Sequence, residues 1–153
     1  MIDQALLALA QHVAKPDADP ELSVTVGDPS PRSEVTLTVL AIEADEERRN
    51  ASLPRRGPDG GLVASEAPPL EPVLTVLVSA AGAGVRHLQL LSIALRRLGA
   101  VALRGDTLPE GLDLVLADLT RPDLDTLSRL WRAFEQTPRP SAMLRVVVRP
   151  ATR

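Results

Sequence analysis

The chain contains three stretches in which apolar residues recur every three or four positions, the spacing of one face of an α-helix. The first predicts an amphipathic helix over residues 3–14, with an apolar stripe formed by Ile2, Leu6, Leu9 and Val13. The second predicts a helix over residues 84–98. Five residues at helical spacing form its expected buried stripe: Val85, Leu88, Leu91, Leu95 and Leu98.

A third helix is expected from residue 120 onward. Thr120 and Asp123 have the spacing of a capping box, with an aspartate at the acid position, and Pro122 suits the first turn. The expected buried face consists of five residues: Leu124, Leu127, Leu130, Trp131 and Phe134. We expect this helix to end in the segment 137–140, which contains two prolines.

Short apolar or alternating runs predict the strands of a β-sheet. The longest covers residues 34–47, where Val35, Leu37 and Val39 alternate with threonines before the strand ends in charged residues. The other predicted strands cover residues 22–27, 73–79, 100–104, 112–119 and 141–150. The resulting order, α-β-β-loop-β-α-β-β-α-β, favours an α+β fold in which helices pack on a single mixed β-sheet, rather than a doubly wound parallel sheet.

Residues 50–72 interrupt this regular pattern. They contain five prolines and three glycines without any sustained period, which predicts a long, mobile loop. A length of 153 residues suits one domain that carries such a loop. We therefore expect residues 1–153 to form a single domain.

Composition restricts the functions that the chain can have. Its 20 acidic and 17 basic residues give a net charge of −3, which argues against an electrostatic grip on duplex DNA. Trp131 and Phe134 are the only aromatic residues, so stacking platforms for single-stranded nucleic acid are missing. The absence of cysteine excludes disulfides and cysteine-based zinc sites. No stretch has the pattern of a signal peptide or a membrane span, and we expect no nucleic-acid or membrane partner.

The turn before the second helix raises the possibility of a nucleotide site. Gly82 and Gly84 lie between a predicted strand and helix, and Asp106 follows the next strand, which is the outline of a dinucleotide-binding unit. The fingerprint G-x-G-x-x-G needs a third glycine where this chain has His87, and too few residues follow to complete a six-stranded nucleotide fold. A small nucleotide-binding module that uses residues 80–87 is therefore the weaker alternative.

Acidic residues cluster at the end of the long predicted strand, at Glu43, Asp45, Glu46 and Glu47. On an extended strand Glu43, Asp45 and Glu47 share one face. Paired carboxylates can serve acid–base catalysis or bind Mg²⁺. We favour the simpler interpretation, a solvated strand end or a charged contact with a neighbouring subunit.

The remaining reactive residue types form no recognisable site. His12 and His87 are isolated, without the H-x-x-x-H or H-x-E spacing of metal ligands, and each is expected at the surface or half-buried on a helix. No serine lies in a G-x-S-x-G nucleophile elbow. We therefore expect no catalytic residue, no cofactor and no metal, and a protein that is not an enzyme.

The order of the segments resembles that of a known family, and four stretches carry the resemblance: MIDQALLALAQHV at the N-terminus, IEADEERRN (42–50), EPVLTVLVSAAG before the second helix and LSRLWRAFEQTPRPSAMLRVVVRP (127–150). The last includes Leu130-Trp131 on the third helix and Pro140-Ser141 before the final strand. The chain resembles, over nearly its whole length, the N-terminal domain of the cap or tube-terminator proteins of phage-tail-like contractile injection systems, of the antifeeding-prophage and virulence-cassette type.

The resemblance implies a structural protein: a hexameric ring on the distal end of the inner tube, which ends tube polymerisation and joins the last sheath layer. The implied partners are further copies of the chain, the inner-tube protein and the sheath protein, assembled in the bacterial cytoplasm into a phage-tail-like particle. A ring needs heterologous contacts that close on themselves. Seven charged residues are our candidates for this interface: Glu43, Asp45, Glu47, Arg48, Arg49, Arg55 and Arg56. The tail terminator of a contractile phage is an alternative that fits the same segments.

Overall fold

The computed structural model of the chain describes residues 1–15, 20–29, 32–44, 55–56, 58–63, 71–82 and 84–151. Within these residues there are three α-helices: α1 (Ile2–Ala14), α2 (Gly84–Leu98) and α3 (Leu124–Ala133). The strands are β1 (Val24–Val26), β2 (Val35–Ala44), β3 (Arg55–Arg56), β4 (Leu62–Val63), β5 (Pro72–Ala80), β6 (Ala100–Arg104), β7 (Leu112–Thr120) and β8 (Ser141–Pro150). Every predicted helix and strand is present, most of them with nearly the predicted ends.

Six of the strands form one mixed sheet in the order β1-β2-β5-β8-β7-β6. Strands β1 and β2 are parallel, and every other neighbouring pair is antiparallel. The predicted α+β fold, with helices packed on a single mixed sheet, is confirmed.

The hydrophobic core lies between helices α1 and α2 and one face of this sheet. Leu37, Val76 and Val146 lie on that face and are fully buried, and Leu9 and Val13 of α1 belong to the same cluster. Because side chains alternate between the two faces of a strand, the period-two pattern of the sequence directs one face of the sheet toward the core.

A β-bulge in β2 changes the face that its last residues occupy. The register with β5 shifts between Val39 and Ala41, so that Ile42 lies opposite Leu74 and Glu43 lies on the other face. One extra residue inverts the alternation of side chains beyond it. Since directly opposed residues share a face, Ile42 lies on the same side of the sheet as the buried Leu74.

Helix α2 presents a different face to the sheet from the one predicted. Its buried residues are His87, Leu90, Leu91, Ala94 and Leu98. This set has the i, i+3, i+4, i+7 spacing of a core-facing stripe and begins at a histidine. The fold accommodates the imidazole because its Nε2 lies 2.9 Å from the carbonyl oxygen of Pro140. The predictions that His87 lies at the surface or is half-buried, and that Val85 and Leu88 are buried, were therefore wrong.

Helix α3 begins later than predicted. Thr120 is the last residue of β7, and the N-cap is Asp123, whose carboxylate accepts hydrogen bonds from the Thr126 backbone N–H at 2.7 Å and the Thr126 hydroxyl at 2.8 Å. These hydrogen bonds lower the pKa of the Asp123 carboxyl below its usual range. An aspartate at this position satisfies an amide of the first helical turn, so the helix starts there and not at Thr120.

The proline- and glycine-rich segment contains a short hairpin that the sequence did not predict. Strands β3 and β4 pair antiparallel on either side of a turn at residues 58–60. Gly60 adopts a φ of +79°, a conformation that favours glycine, and the sequence Pro58-Asp59-Gly60 is typical of a tight turn. The prediction of a loop without secondary structure was therefore wrong for these residues.

Candidate assembly surface

The charged residues predicted at an interface are only partly described. Glu43 is exposed near the end of β2, and for Arg55 and Arg56 the structure describes the backbone, which pairs with β4. The other four lie outside the described residues: Asp45, Glu47, Arg48 and Arg49. Their place at an interface stays a prediction.

Exposed apolar side chains on α2 and α3 mark a surface that the sequence analysis missed. Val85 is 71% exposed and Leu88 is 53% exposed on α2, and Leu124 at the start of α3 is 84% exposed. Isolated exposed apolar residues are common on proteins, but a contiguous apolar area indicates a binding surface. These side chains therefore indicate a binding surface if they form one contiguous apolar area.

Two concave regions connect Leu88 of α2 to Leu124 of α3. The first has a volume of about 370 Å³ and runs along α2, where Leu88, Leu91 and Leu95 line it. The second has a volume of about 500 Å³ and separates α2 from α3, where Leu91, Leu124 and Leu127 line it. Leu91 belongs to both regions, so the five leucines form one continuous surface. We call this surface the α2–α3 groove.

Trp131 forms the floor of the groove on the α3 side. It is the one buried residue of that helix, and its indole Nε1–H donates to the Ser141 hydroxyl at 3.3 Å. The ring of Phe134 packs edge-on against the indole, with 6.1 Å between the ring centroids. The guanidinium of Arg139 lies 4.9 Å from the centroid of the indole on a ring face, a favourable cation–π arrangement. The motifs Leu130-Trp131 and Pro140-Ser141 are therefore in direct contact.

Two further hydrogen bonds hold the segment that follows α3, one to the sheet and one to the connection between β1 and β2. Arg139 donates from Nη1 to the carbonyl oxygen of Ala80 at the end of β5, at 3.2 Å. Gln136 donates from Nε2 to the carbonyl oxygen of Pro29 at 2.8 Å. These contacts anchor the helix through its C-terminal end, while its first turn, with Leu124, stays exposed. The groove is therefore supported on one side and open to solvent on the other.

The charge along the groove is positive on the α2 side. Helix α2 contains three arginines and no acidic residue, although the whole chain has more acidic than basic residues. Arg97 points back to the end of α1, and Arg86 lies 3.3 Å from the Glu34 carboxylate. Arg96 is exposed at the groove and has no hydrogen bond or ion pair with any part of the chain that the structure describes.

The glycine turn before α2 does not belong to a dinucleotide-binding unit. Gly82 has a φ of +102° and Gly84 a φ of +62°, so both glycines adopt backbone conformations that other residues rarely take. The turn leads from β5 through α2 to β6, which is antiparallel to β5 and separated from it by β8 and β7. A dinucleotide-binding unit joins parallel strands. The two glycines therefore form the turn between β5 and α2, as the preferred interpretation of the sequence predicted.

His12 is half-buried, as predicted, with its Nε2 3.2 Å from the carbonyl oxygen of Arg97. Burial lowers the pKa of His12 below its usual value of 6.5, and the nearby charges of Lys15 and Arg97 lower it further, against the opposing effect of the hydrogen bond. Among the described residues no group of three or more histidine, aspartate or glutamate side chains is arranged to hold a metal ion. In the same part of the chain, no helix combines the length and the apolar character needed to cross a membrane.

The sequence did carry a signal for the exposed leucines. The buried stripe of α2 consists of His87, Leu90, Leu91, Ala94 and Leu98, so Val85 and Leu88 add apolar surface outside that stripe. A helix whose apolar residues span more than one stripe has apolar surface to bury on two sides. When His87 and Ala94 are assigned to the buried stripe, Val85 and Leu88 fall on a second apolar face of the helix.

Comparison with known proteins places this fold in context. The family model described as the Pvc16 N-terminal domain matches residues 1–152. A search of curated proteins found no match. Among solved structures, a similar chain is the PVC sheath/tube terminator in the extended state, determined by cryo-EM as part of an extracellular contractile injection system.

The similarity to that terminator lies in the fold. The TM-score is 0.59 at 15% sequence identity, and the match covers 97% of this chain. The same match covers 56% of the solved terminator, so this chain spans little more than half of that protein's length.

Proposed function

The chain belongs to the Pvc16 N-terminal domain family, and from that membership we propose that it acts as the terminator of the inner tube and sheath in a contractile injection system. One observation carries the proposal: the family match extends over residues 1–152, nearly the whole chain. The fold shared with a PVC sheath/tube terminator supports it. The family resemblance inferred from the sequence is confirmed, and the role of the chain is the step that we propose.

The proposed arrangement is a hexameric ring on the distal end of the inner tube. The ring ends tube polymerisation and joins the last layer of sheath, so its partners are further copies of the chain, the tube protein and the sheath protein. A ring of identical subunits needs two different, mutually complementary surfaces on each subunit. The exposed α2–α3 groove and the charged end of β2 are candidates for such surfaces because they lie on different elements.

The role is structural and involves no catalysis or cofactor. We propose that the chain assembles in the bacterial cytoplasm and remains part of the phage-tail-like particle. The charged residues around the end of β2 and in the following segment are proposed to contribute to the subunit contacts: Glu43, Asp45, Glu47, Arg48, Arg49, Arg55 and Arg56. Arginine–carboxylate pairs suit this purpose because their bidentate geometry fixes orientation as well as adding energy.

Tube length is the direct measurement of a terminator's activity. Particles are produced from the complete gene cluster with and without this gene, and tube lengths are measured in negative-stain micrographs. We expect a narrow length distribution with the protein, and long tubes of variable length without it. A gold-labelled copy of the chain is expected at one tip of each tube. An unchanged length distribution, or label spread along the tube, contradicts the proposal.

A further inference from the structure

We propose that Ile42 of one copy of the chain docks into the α2–α3 groove of a second copy, with Glu43 at the edge of the contact, and that this contact joins neighbouring subunits. The proposal rests on the proposed ring and names its interface. It follows from three properties of the two surfaces: their apolar character, their opposite charge and their positions at opposite ends of the sheet.

The groove is shallow and open, and an aliphatic side chain can lie against its apolar lining. Leu91 lies at the junction of its two concave regions, and Leu88 and Leu124 flank that junction with their side chains largely in water. An inserted branched aliphatic side chain removes apolar surface from water on both partners, which is the main driving force of association. The supported floor at Trp131 means that the groove exists before the partner arrives, so little ordering entropy opposes binding.

The end of β2 offers the matching projection. The bulge after Val39 places Ile42 on the helix-bearing side of the sheet, where its side chain is nevertheless 58% exposed. The next residue, Glu43, is exposed on the other face. Because adjacent side chains of a strand point to opposite faces, Ile42 enters the groove while the Glu43 carboxylate lies at the edge of the contact, where the groove has Arg96 at its rim.

Charge supports the same pairing. Arg96 lines the groove on α2, and Glu43 is next to Ile42 in the chain. Within the described ranges of the chain, neither Arg96 nor Glu43 has an ion-pair partner. An arginine and a carboxylate brought together at the edge of an apolar contact steer association and select the correct partner surface.

The two surfaces cannot meet within one chain. The groove adjoins the end of the sheet where Ala80 and Ser141 lie, since Trp131 and Arg139 contact those residues. Ile42 lies opposite Leu74, six positions away along β5. At about 3.3 Å per residue this separation is roughly 20 Å. The contact must therefore form between copies, head to tail, and a head-to-tail contact gives a ring when its rotation closes.

The first test introduces a charge on either surface. Ile42→Asp and Leu124→Asp are each compared with the wild type by sedimentation velocity and light scattering over a range of protein concentrations. Both substituted side chains are exposed, so the fold is retained, which circular dichroism checks. Each variant is expected to weaken self-association at least about tenfold, as loss of a central interface residue does. Leu7→Asp, at an exposed leucine on α1, is the matched control and is expected to associate like the wild type.

A mixing experiment tests the head-to-tail geometry itself. The Ile42→Asp protein keeps an intact groove, and the Leu124→Asp protein keeps an intact projection. Mixed in equal amounts, the two are expected to form a one-to-one dimer and nothing larger, because only one functional contact is available. A second pair tests the charges: Glu43→Arg and Arg96→Glu are each expected to weaken association, and the two together in one chain to restore it.

The outcomes separate this contact from the proposed function. If Ile42→Asp and Leu124→Asp associate as strongly as the wild type, the proposed contact is wrong. That outcome leaves the terminator role intact. Wild-type protein that stays monomeric at all concentrations overturns the contact as well. The terminator role is tested independently by the tube lengths of particles that lack the gene. If those lengths are unchanged, the terminator role is wrong. Failure of the mixed variants to form a dimer also contradicts the contact.

Discussion

His12 and Arg97 join the C-terminal ends of α1 and α2 by hydrogen bonds in both directions. The imidazole Nε2 of His12 lies 3.2 Å from the Arg97 carbonyl oxygen. In return, the Arg97 guanidinium donates to the carbonyl oxygen of Val13 at 2.6 Å, to that of Ala14 at 3.2 Å and to that of Pro20 at 2.7 Å. The last carbonyl groups of a helix have no partner within the helix and carry a partial negative charge, so an arginine stabilises them twice, by hydrogen bonding and by charge.

Replacement of Arg97 by alanine is expected to lower the free energy of unfolding by about 1.5–3 kcal/mol, the usual range for hydrogen bonds that involve a charged group. Urea unfolding followed by circular dichroism measures it. Arg121→Ala is the control, because Arg121 is an exposed arginine in the connection before α3, and its removal is expected to change stability by less than about 0.5 kcal/mol. Equal effects of the two substitutions contradict the role of Arg97 as the link between the helices.

Stability is expected to fall as the pH decreases below about 6.5, and His12 is expected to contribute to that loss. Burial lowers the pKa of His12 in the folded state below its usual value of 6.5. Between the lowered pKa and 6.5 the unfolded chain binds more protons than the folded one, so stability rises with pH across this window and is lost as pH falls through it. His12→Gln keeps a side-chain hydrogen-bond donor and removes the titration.

The measurement is urea unfolding from pH 8 to pH 5 for the wild type and for His12→Gln. The difference in the free energy of unfolding between the two proteins is expected to change with pH below 6.5 and to be constant above about pH 7.5. Other titrating groups are common to both proteins and cancel in the difference. A difference that is the same at every pH contradicts the burial of a neutral imidazole.

The sequence predicted the elements more reliably than the faces they bury. Helix α2 was predicted with its observed ends because its helical period extends over 15 residues. The prediction of its buried face was wrong because it used only the large aliphatic residues. It left out His87 and Ala94, which belong to the buried stripe. The contact that makes His87 acceptable in the core comes from Pro140, far away in the chain, and no local pattern contains it.

The surfaces proposed for assembly depend on features that periodicity cannot supply. The bulge after Val39 is a property of how β2 pairs with β5, and it moves Ile42 to the other face. The exposure of Leu124 follows from the anchoring of α3 through Trp131, Gln136 and Arg139 at its other end. By contrast, the contact between Trp131 and Ser141 joins two motifs that the family resemblance had already singled out.

Trp131 is expected to be the most sensitive residue of α3. It is 1% exposed, and its replacement by alanine leaves a cavity and removes the partner of Arg139, with an expected loss of about 3–5 kcal/mol. Trp131→Phe retains most of the apolar volume but loses the hydrogen bond to Ser141, so a smaller loss is expected. Chemical unfolding followed by circular dichroism compares the two. Leu124→Ala, on the same helix, is expected to alter the stability of the monomer by less than about 0.5 kcal/mol.

Since the chain contains a single tryptophan, its fluorescence reports on this contact alone. The buried indole is expected to emit at short wavelength in the native protein and to shift to longer wavelength together with the loss of helical circular dichroism. A red-shifted native spectrum, or equal losses of stability for Trp131→Ala and Leu124→Ala, contradicts the anchoring of α3 through Trp131.

The ion pair between Glu71 and Arg149 is expected to stabilise the end of the sheet where β5 begins and β8 ends. The Arg149 Nε donates to Glu71 Oε1 at 3.0 Å, and the side chain of Glu71 is 3% exposed while that of Arg149 is 31% exposed. Removal of the carboxylate leaves a partly buried guanidinium without this partner, which costs about 2–4 kcal/mol, less than for a fully buried pair because Arg149 can regain some water.

Glu71→Ala is therefore expected to lower the free energy of unfolding by that amount, and Glu71→Gln by less, because the amide oxygen still accepts from Arg149. The surface pair Asp125–Arg129 is the matched control, since its atoms are 2.7 Å apart but both side chains are largely exposed. Asp125→Ala is expected to cost no more than about 0.5 kcal/mol.

In 1 M NaCl, where screening acts over about 3 Å, the small effect at Asp125 is expected to vanish and the effect at Glu71 to persist. If both effects vanish in salt, the Glu71 pair is solvated and does not stabilise this end of the sheet.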